Sequence, residues 1–304
     1  MNFKNPFADP LFGTTAVRLG ILFGGALLAI VAIVRGRVLR LGQNVLFQRW
    51  RTWAVIAPIY VLAVLGGSVP TMLFIVALTF QGLREYGHLT GMPKPYRLVL
   101  YAMAIVVAPS ALISMDVYYL LPPLLLTIAT VQPLVFDEPD GIRHLAFAAL
   151  GWGYLAWFLS HFVLIAHWID GGPGILIALG LAVAMSDVGA FVVGKALGKH
   201  QLAPRISPNK TWEGIIGNVL GAYAGVAILS FALPFDIRIA LMIGLPLLVA
   251  IGAVWGDLVE SSIKREFGVK DTAAWLPGFG GLLDRIDSLL VVTPLTYYFV
   301  RLLT

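Results

Sequence analysis

Apolar runs of roughly membrane-crossing length alternate with shorter polar stretches from one end of the chain to the other. Ten can be marked: Ala16–Val34, Thr52–Gly66, Val69–Leu83, Leu98–Ile113, Tyr118–Val135, Leu145–His167, Gly174–Gly194, Gly214–Leu233, Ile239–Trp255 and Ser288–Leu303. The pattern predicts an all-α polytopic membrane protein with about ten transmembrane helices, two of them short enough to be half-spanning. Residues 1–304 read as one membrane domain, with N-terminal spans over 16–170 and chemistry-bearing spans and loops over 174–304. Pro133 and Pro246 fall inside apolar runs, where a kink is expected and neighbouring helices can satisfy the freed carbonyl.

Composition agrees with this pattern. The chain is 59% hydrophobic and its mean hydropathy is +0.88, too apolar for a soluble globule of this size. It has no cysteine, so disulfide and thiolate chemistry are excluded. The opening MNFKNPFADPLFG lacks the layout of a cleaved signal, and the first apolar run is expected to remain as an anchor.

The net charge of +5 could point to nucleic acid, but its distribution argues for membrane topology. If the loop after the first run faces the cytoplasm, 17 of the 21 basic residues fall on that side. Lys4, Arg18, Arg238 and Arg301 are the remainder, and both termini then face away from the cytoplasm. The Arg35–Arg51 stretch mixes arginines with Leu39, Val45, Phe47 and Trp50, the composition of an interfacial segment held by anionic headgroups. The Asp137–Asp140 cluster reads as a solvated turn.

Charge is then concentrated in one place. Gly256–Asp287 holds Asp257, Glu260, Lys264, Arg265, Glu266, Lys270, Asp271, Asp284, Arg285 and Asp287, in a chain with only 12% charged residues. Spaced carboxylates suit a hard divalent cation, and interleaved Lys and Arg suit phosphate oxygens. Glu260 and Ser261 follow Asp257 by three and four residues, so all three share a face if the helix continues. Asp284 and Asp287 have the same spacing at the entry to the last run, where acids also favour a helix N-terminus. Gly278, Gly280 and Gly281 allow a tight turn or a close ligand.

Two further features lie upstream. Asp187 interrupts the run ILIALGLAVAMSDVGAFVVG, and an ionisable residue at membrane depth is functional or paired. Ser207-Pro208-Asn209-Lys210-Thr211-Trp212-Glu213-Gly214 reads either as a polyphosphate contact or as a helix start with Thr211 as N-cap. It is not a P-loop. The five histidines show no zinc-ligand spacing.

These residues resemble the phosphatidate cytidylyltransferase (CDP-diacylglycerol synthase) family. The resemblance rests on Ser261-x-Ile263-Lys264-Arg265, Lys270-Asp271, Leu276-Pro277 and Gly280-Gly281-Leu282-x-Asp284-Arg285-Ile286-Asp287. Ser186-Asp187-x-Gly189-Ala190 and the Ser207–Gly214 segment add to it, so the match covers Met185–Ser288, about the last third. Phe279 stands where the family pattern has a histidine.

The resemblance implies an integral protein of the bacterial inner (cytoplasmic) membrane that converts CTP and phosphatidate to CDP-diacylglycerol and diphosphate. CTP is the co-substrate, phosphatidate is the membrane partner, and the active site is at the cytoplasmic face near the C-terminus. Asp257, Asp284 and Asp287 are expected to hold Mg²⁺, with a second cation and a homodimer left open. Lys264, Arg265, Lys270 and Arg285 are expected to hold phosphates, with Asp271 among the catalytic residues. Ser207, Lys210, Gly280 and Gly281 are expected at the nucleotide, and Asp187 is expected to orient the site. Alternatives are an impaired paralogue, an enzyme for another lipid phosphate, and, less in keeping with a single charge cluster, a transporter.

Overall fold

The computed structural model describes residues 2–33, 44–137, 139–269, 272 and 280–304. Helices dominate these residues: α1 (Pro10–Ile33), α2 (Val45–Leu65), α3 (Ser68–Leu89), α4 (Lys94–Ile105), α5 (Val107–Ile113), α6 (Met115–Ala129) and α7 (Gln132–Phe136) form the first half. They are followed by α8 (Gly141–Gly151), α9 (Phe158–Trp168), α10 (Gly172–Leu197), α11 (Trp212–Ile228), α12 (Arg238–Glu266) and α13 (Leu283–Leu303). An antiparallel hairpin of β1 (Gln201–Ala203) and β2 (Ser207–Thr211) joins α10 to α11.

Seven stretches among the described residues are long and apolar enough to cross a bilayer: 10–32, 94–113, 115–136, 141–168, 172–197, 238–266 and 283–303. The protein is an all-α polytopic membrane protein. All ten expected runs are helical, and the three outside the seven are α2, α3 and α11. Helix α11 has only 17 residues. Helices α2 and α3 are long enough but carry Arg49 and Arg51, and Arg84 and Glu85, in their polar end turns.

Several boundaries differ from the sequence reading for local reasons. Helix α2 starts at Val45, capped by Asn44, whose Oδ1 accepts from the Leu46 and Phe47 amides at 2.8 and 3.3 Å. Arg49 and Arg51 therefore sit on a helix, and Trp50 Nε1 donates to the Phe23 carbonyl of α1 at 2.9 Å. Pro133 does not kink a helix interior. It lies in the first turn of α7, where its missing N–H costs nothing. Pro246 is inside α12, as expected. Asp137 and Asp140 take left-handed backbone at the turn before α8, a conformation aspartate tolerates better than most residues.

Helix α9 is the centre of the bundle. Leu159 through Ile165 are all buried, so it is enclosed on every side, with α3, α10 and α13 among the helices around it. A π-helical stretch, Trp152–Trp157, connects α8 to α9. Small residues let α10 and α11 pack backbone to backbone: Gly189 meets Gly217, and Gly221 meets Met185. Close approach of this kind replaces hydrophobic driving force between helices in lipid. The result brings together the C-terminal ends of α3 and α12 and the N-terminal ends of α11 and α13.

Candidate active site

The site is built on the crossing of α12 and α13. Gly256 sits against the Asp287 carbonyl and Gly252 against Val292, with no room for a β-carbon at either glycine. That approach puts Asp257 next to Asp287. Because α12 runs on to Glu266, well past the expected end at Trp255, Asp257 and Glu260 share the face turned toward α13. Ligating oxygens of Asp257, Glu260 and Asp287 all lie within 4.8 Å of one another. Glu260, which sequence reasoning placed on the right face but left out of the metal set, thus completes the trio.

Basic groups from three elements surround these acids. Lys210 of β2 pairs with Asp257 at 2.6 Å, connecting the SPNKT strand to the acidic cluster. Lys264 bridges Glu260 at 2.5 Å and Asp284 at 2.8 Å. Arg285 lies within electrostatic range of both Asp187 and Asp287. Asp187, about 15 Å along α10 from its C-terminal end at 1.5 Å per residue, is near enough to interact with Asp257 and Lys210. Asp187 is exposed at the surface of the helix bundle.

Asp284 plays a different part from its neighbour Asp287. It is buried, and its Oδ2 accepts from the Gly281 amide at 2.8 Å, the Thr272 hydroxyl at 3.0 Å and the Thr272 amide at 3.3 Å. Its Oδ1 accepts from Lys264. Of the two expected ligands on α13, only Asp287 joins the close trio. Gly280 has φ of 85°, a left-handed conformation that favours glycine, and it turns the chain so that Gly281 faces Asp284.

Glu85 of α3 escaped the sequence reading. It is 4% exposed, and its carboxylate accepts from the Leu282 and Leu283 amides at 3.0 and 2.9 Å. Gln81 also donates to it at 3.0 Å, and the Thr272 hydroxyl, whose single proton it shares with Asp284, lies 3.1 Å away. Glu85 therefore caps α13 from the other half of the chain and, through Thr272, shares a hydrogen-bonding partner with Asp284. The only sequence signal was an acid near the end of an otherwise apolar run.

The Ser207–Gly214 segment is a helix start, as one of its two readings has it, and its strand also carries Lys210 to the acidic cluster. Thr211 Oγ1 accepts from the Gly214 amide at 3.1 Å. Ser207 pairs with Ala203 across the hairpin. Glu213 accepts from His200 Nδ1 at 2.7 Å and from the Lys199 and His200 amides at 3.1 and 3.3 Å. The His200 side chain, foremost, holds the Glu213 carboxyl down to about 2. Arg265 donates to the Ile206 and Val269 carbonyls, both at 3.2 Å, tying the end of α12 to this hairpin. Lys270, Asp271 and Phe279 lie outside the described residues.

The donor set suits a hard divalent cation. The trio is all oxygen, Glu260 Oε1 is buried without a hydrogen-bond donor, and carboxylates around it outnumber Lys210, Lys264 and Arg285. Among the described residues no other acidic or histidine cluster of this kind occurs.

The chain matches the cytidylyltransferase family over residues 47–303. It is 36% identical over 232 residues to a Pseudomonas aeruginosa protein named phosphatidate cytidylyltransferase, covering 73% of this chain and 84% of that one. A Staphylococcus haemolyticus protein of the same name is 45% identical over 126 residues, 41% of this chain and 48% of its own. The Escherichia coli protein YnbB, whose name states no activity, is 34% identical over 265 residues, 83% of this chain and 86% of its own.

Proposed function

The chain belongs to the cytidylyltransferase family, and from that premise we propose how its site carries out CTP-dependent lipid activation. The enzyme is a nucleotidyltransferase that takes CTP and phosphatidate to CDP-diacylglycerol and diphosphate. The observation that supports this reading is the Asp257–Glu260–Asp287 trio ringed by Lys210, Lys264 and Arg285.

A phosphate oxygen of phosphatidate attacks the α-phosphorus of CTP, and the bond from that phosphorus to the bridging oxygen of the β-phosphate breaks. The nucleophile is already an anion. The protein therefore needs positioning and charge stabilisation more than a general base. Asp257, Glu260 and Asp287 would hold Mg²⁺. When bound, the ion would draw phosphate oxygens together and offset their charge. Lys210, released from Asp257 as a phosphate approaches, would meet the nucleotide's triphosphate, and Arg285 would do the same from α13. Lys264 would hold Glu260 and Asp284 in place. Asp284, Glu85 and Arg265 would act by holding the backbone that carries these groups. Whether Asp284 also lends an oxygen to a second cation depends on its release from Thr272.

The site is proposed to face the cytoplasm of a bacterial inner membrane, because the expected inside loops carry most of the basic residues. All ten helical runs would then cross or dip into the bilayer, with residues 174–304 as the catalytic part.

The test is purified full-length protein with Mg²⁺, CTP labelled at the α-phosphate and phosphatidate. Label should move into the lipid with release of one diphosphate per lipid labelled. Label on a different lipid phosphate, but none on phosphatidate, would replace the substrate. The similarity to YnbB and the presence of Phe279 favour one second reading, an impaired paralogue. That reading predicts no label until Phe279→His is made.

Lys210→Ala should raise the KM for CTP about tenfold, the loss of one charge-assisted phosphate contact, with a smaller change in kcat. Equal KM values in the two proteins would remove Lys210 from the nucleotide.

A further inference from the structure

A second charged feature lies at the junction of α3 and α4, on a face of α3 that the acidic site does not use. Arg84, Lys94 and Arg97, with Phe80, Leu98 and Tyr101, line a pocket of about 240 Å³. His88 completes it, its Nδ1 at 3.4 Å from Arg97 Nη1. Phe80, Arg84 and His88 follow one another at four-residue spacing and so form one stripe of α3. Lys94, Arg97, Leu98 and Tyr101 form the facing stripe of α4. Glu85 is turned about 100° from Arg84 around the helix, toward α13. The two sites therefore lie at the same level of the bundle, on different faces of one helix.

The pocket's charge has one sign. No carboxylate lines it, and among the described residues none of Arg84, Lys94 and Arg97 forms an ion pair with an acid. Gathering three permanent cations around one space is unfavourable unless an anion shares it. Guanidinium forks beside an ammonium match phosphate oxygens. The remaining wall is apolar and open. Phe80 is 52% and Leu98 56% exposed, on helix surfaces that face lipid in a membrane protein. A free phosphate has no use for that wall, but an acyl chain does.

We propose that the α3–α4 pocket binds the phosphate headgroup of an anionic membrane phospholipid, held by Arg84, Lys94 and Arg97 with its chains along Phe80 and Leu98. The lipid is a resident ligand next to the active site and is not converted there. Basic pockets between helices at a cytoplasmic membrane face are suited to such headgroups.

The test is binding to the delipidated full-length protein in detergent, by native mass spectrometry, with phosphatidylglycerol, phosphatidylcholine and inorganic phosphate as probes. The wild type should bind phosphatidylglycerol at least about tenfold more tightly than phosphatidylcholine, and R84Q/R97Q should lose that preference. Lys94→Gln, a change at an exposed helix start, should weaken binding in the same direction by a smaller factor and covers the case of a misfolded double variant. Arg143→Gln, which removes an exposed charge elsewhere, should change nothing. Equal phosphatidylglycerol affinity in the wild type, R84Q/R97Q and Lys94→Gln would overturn the proposal. Displacement of the lipid by millimolar inorganic phosphate would overturn the lipid as occupant. Asp287→Asn should keep the binding, so this result stands or falls separately from the catalytic assignment.

Discussion

Asp287→Asn is expected to lower kcat about a thousandfold, equivalent to ~4 kcal/mol of lost transition-state stabilisation. The side chain is nearly isosteric and can still accept from the Ser288 amide, which the carboxylate does now at 2.8 Å. Folding should therefore survive. Stability should even hold or rise in the absence of divalent cation. Asp287 lies 8% exposed among other carboxylates, with ligating oxygens within 4.8 Å of Asp257 and Glu260, and removing one like charge relieves repulsion. Loss of activity with a retained or higher Tm is the signature of a residue kept for chemistry at the expense of stability. A linked measurement follows from binding thermodynamics: Mg²⁺ should raise the Tm of the wild type and raise that of the variant much less. A variant that keeps a tenth or more of wild-type kcat would remove Asp287 from the cation site.

The trio also shows where sequence reasoning reached and where it stopped. Asp257, Glu260 and Asp287 stood out because charge is rare in this chain, and their three-residue spacings already placed them on helix faces. What the spacing could not give was the crossing at Gly256, a backbone approach that depends on a glycine in one helix meeting a carbonyl in another. Without it, Asp284 and Asp287 looked equivalent. The structure separates them, because Asp287 closes on Asp257 and Glu260 while Asp284 is tied to Lys264, Thr272 and Gly281.

The helical membrane class was legible from apolar run length alone, and all ten runs proved helical. Their ends were less so, since α12 carries its polar residues for another three turns and α2 begins with two arginines already on the helix. Lys210 was singled out from its motif, but its pairing with Asp257 is a tertiary contact between a hairpin and a distant helix. The α3–α4 pocket was present in the sequence only as topology-determining charges. Its lining depends on the two helices facing each other across a short turn.

Glu85→Ala should be the second-largest loss, about a hundredfold in kcat with a clear fall in Tm. The carboxylate accepts from two buried amides at the start of α13, Leu282 and Leu283, and alanine leaves both without an acceptor from α3. Each stranded donor costs ~1–3 kcal/mol, and the helix also loses a negative charge at its positive end. The consequence for activity is geometric. The Thr272 hydroxyl lies within hydrogen-bonding distance of both Glu85 and Asp284, so losing the Glu85 carboxylate loosens Thr272, the first turn of α13 and with them the position of Asp287. A residue acting through position should change the Mg²⁺ concentration needed for half-maximal rate as well as kcat. Glu85→Gln sharpens the test, because it keeps one acceptor oxygen and turns an NH₂ group toward the remaining donors. It should fall between wild type and alanine in both Tm and kcat. If Glu85→Gln matched the wild type in rate and Mg²⁺ requirement while Glu85→Ala lost only stability, Glu85 would be a packing residue, and α3 would have no part in setting the geometry of the catalytic acids.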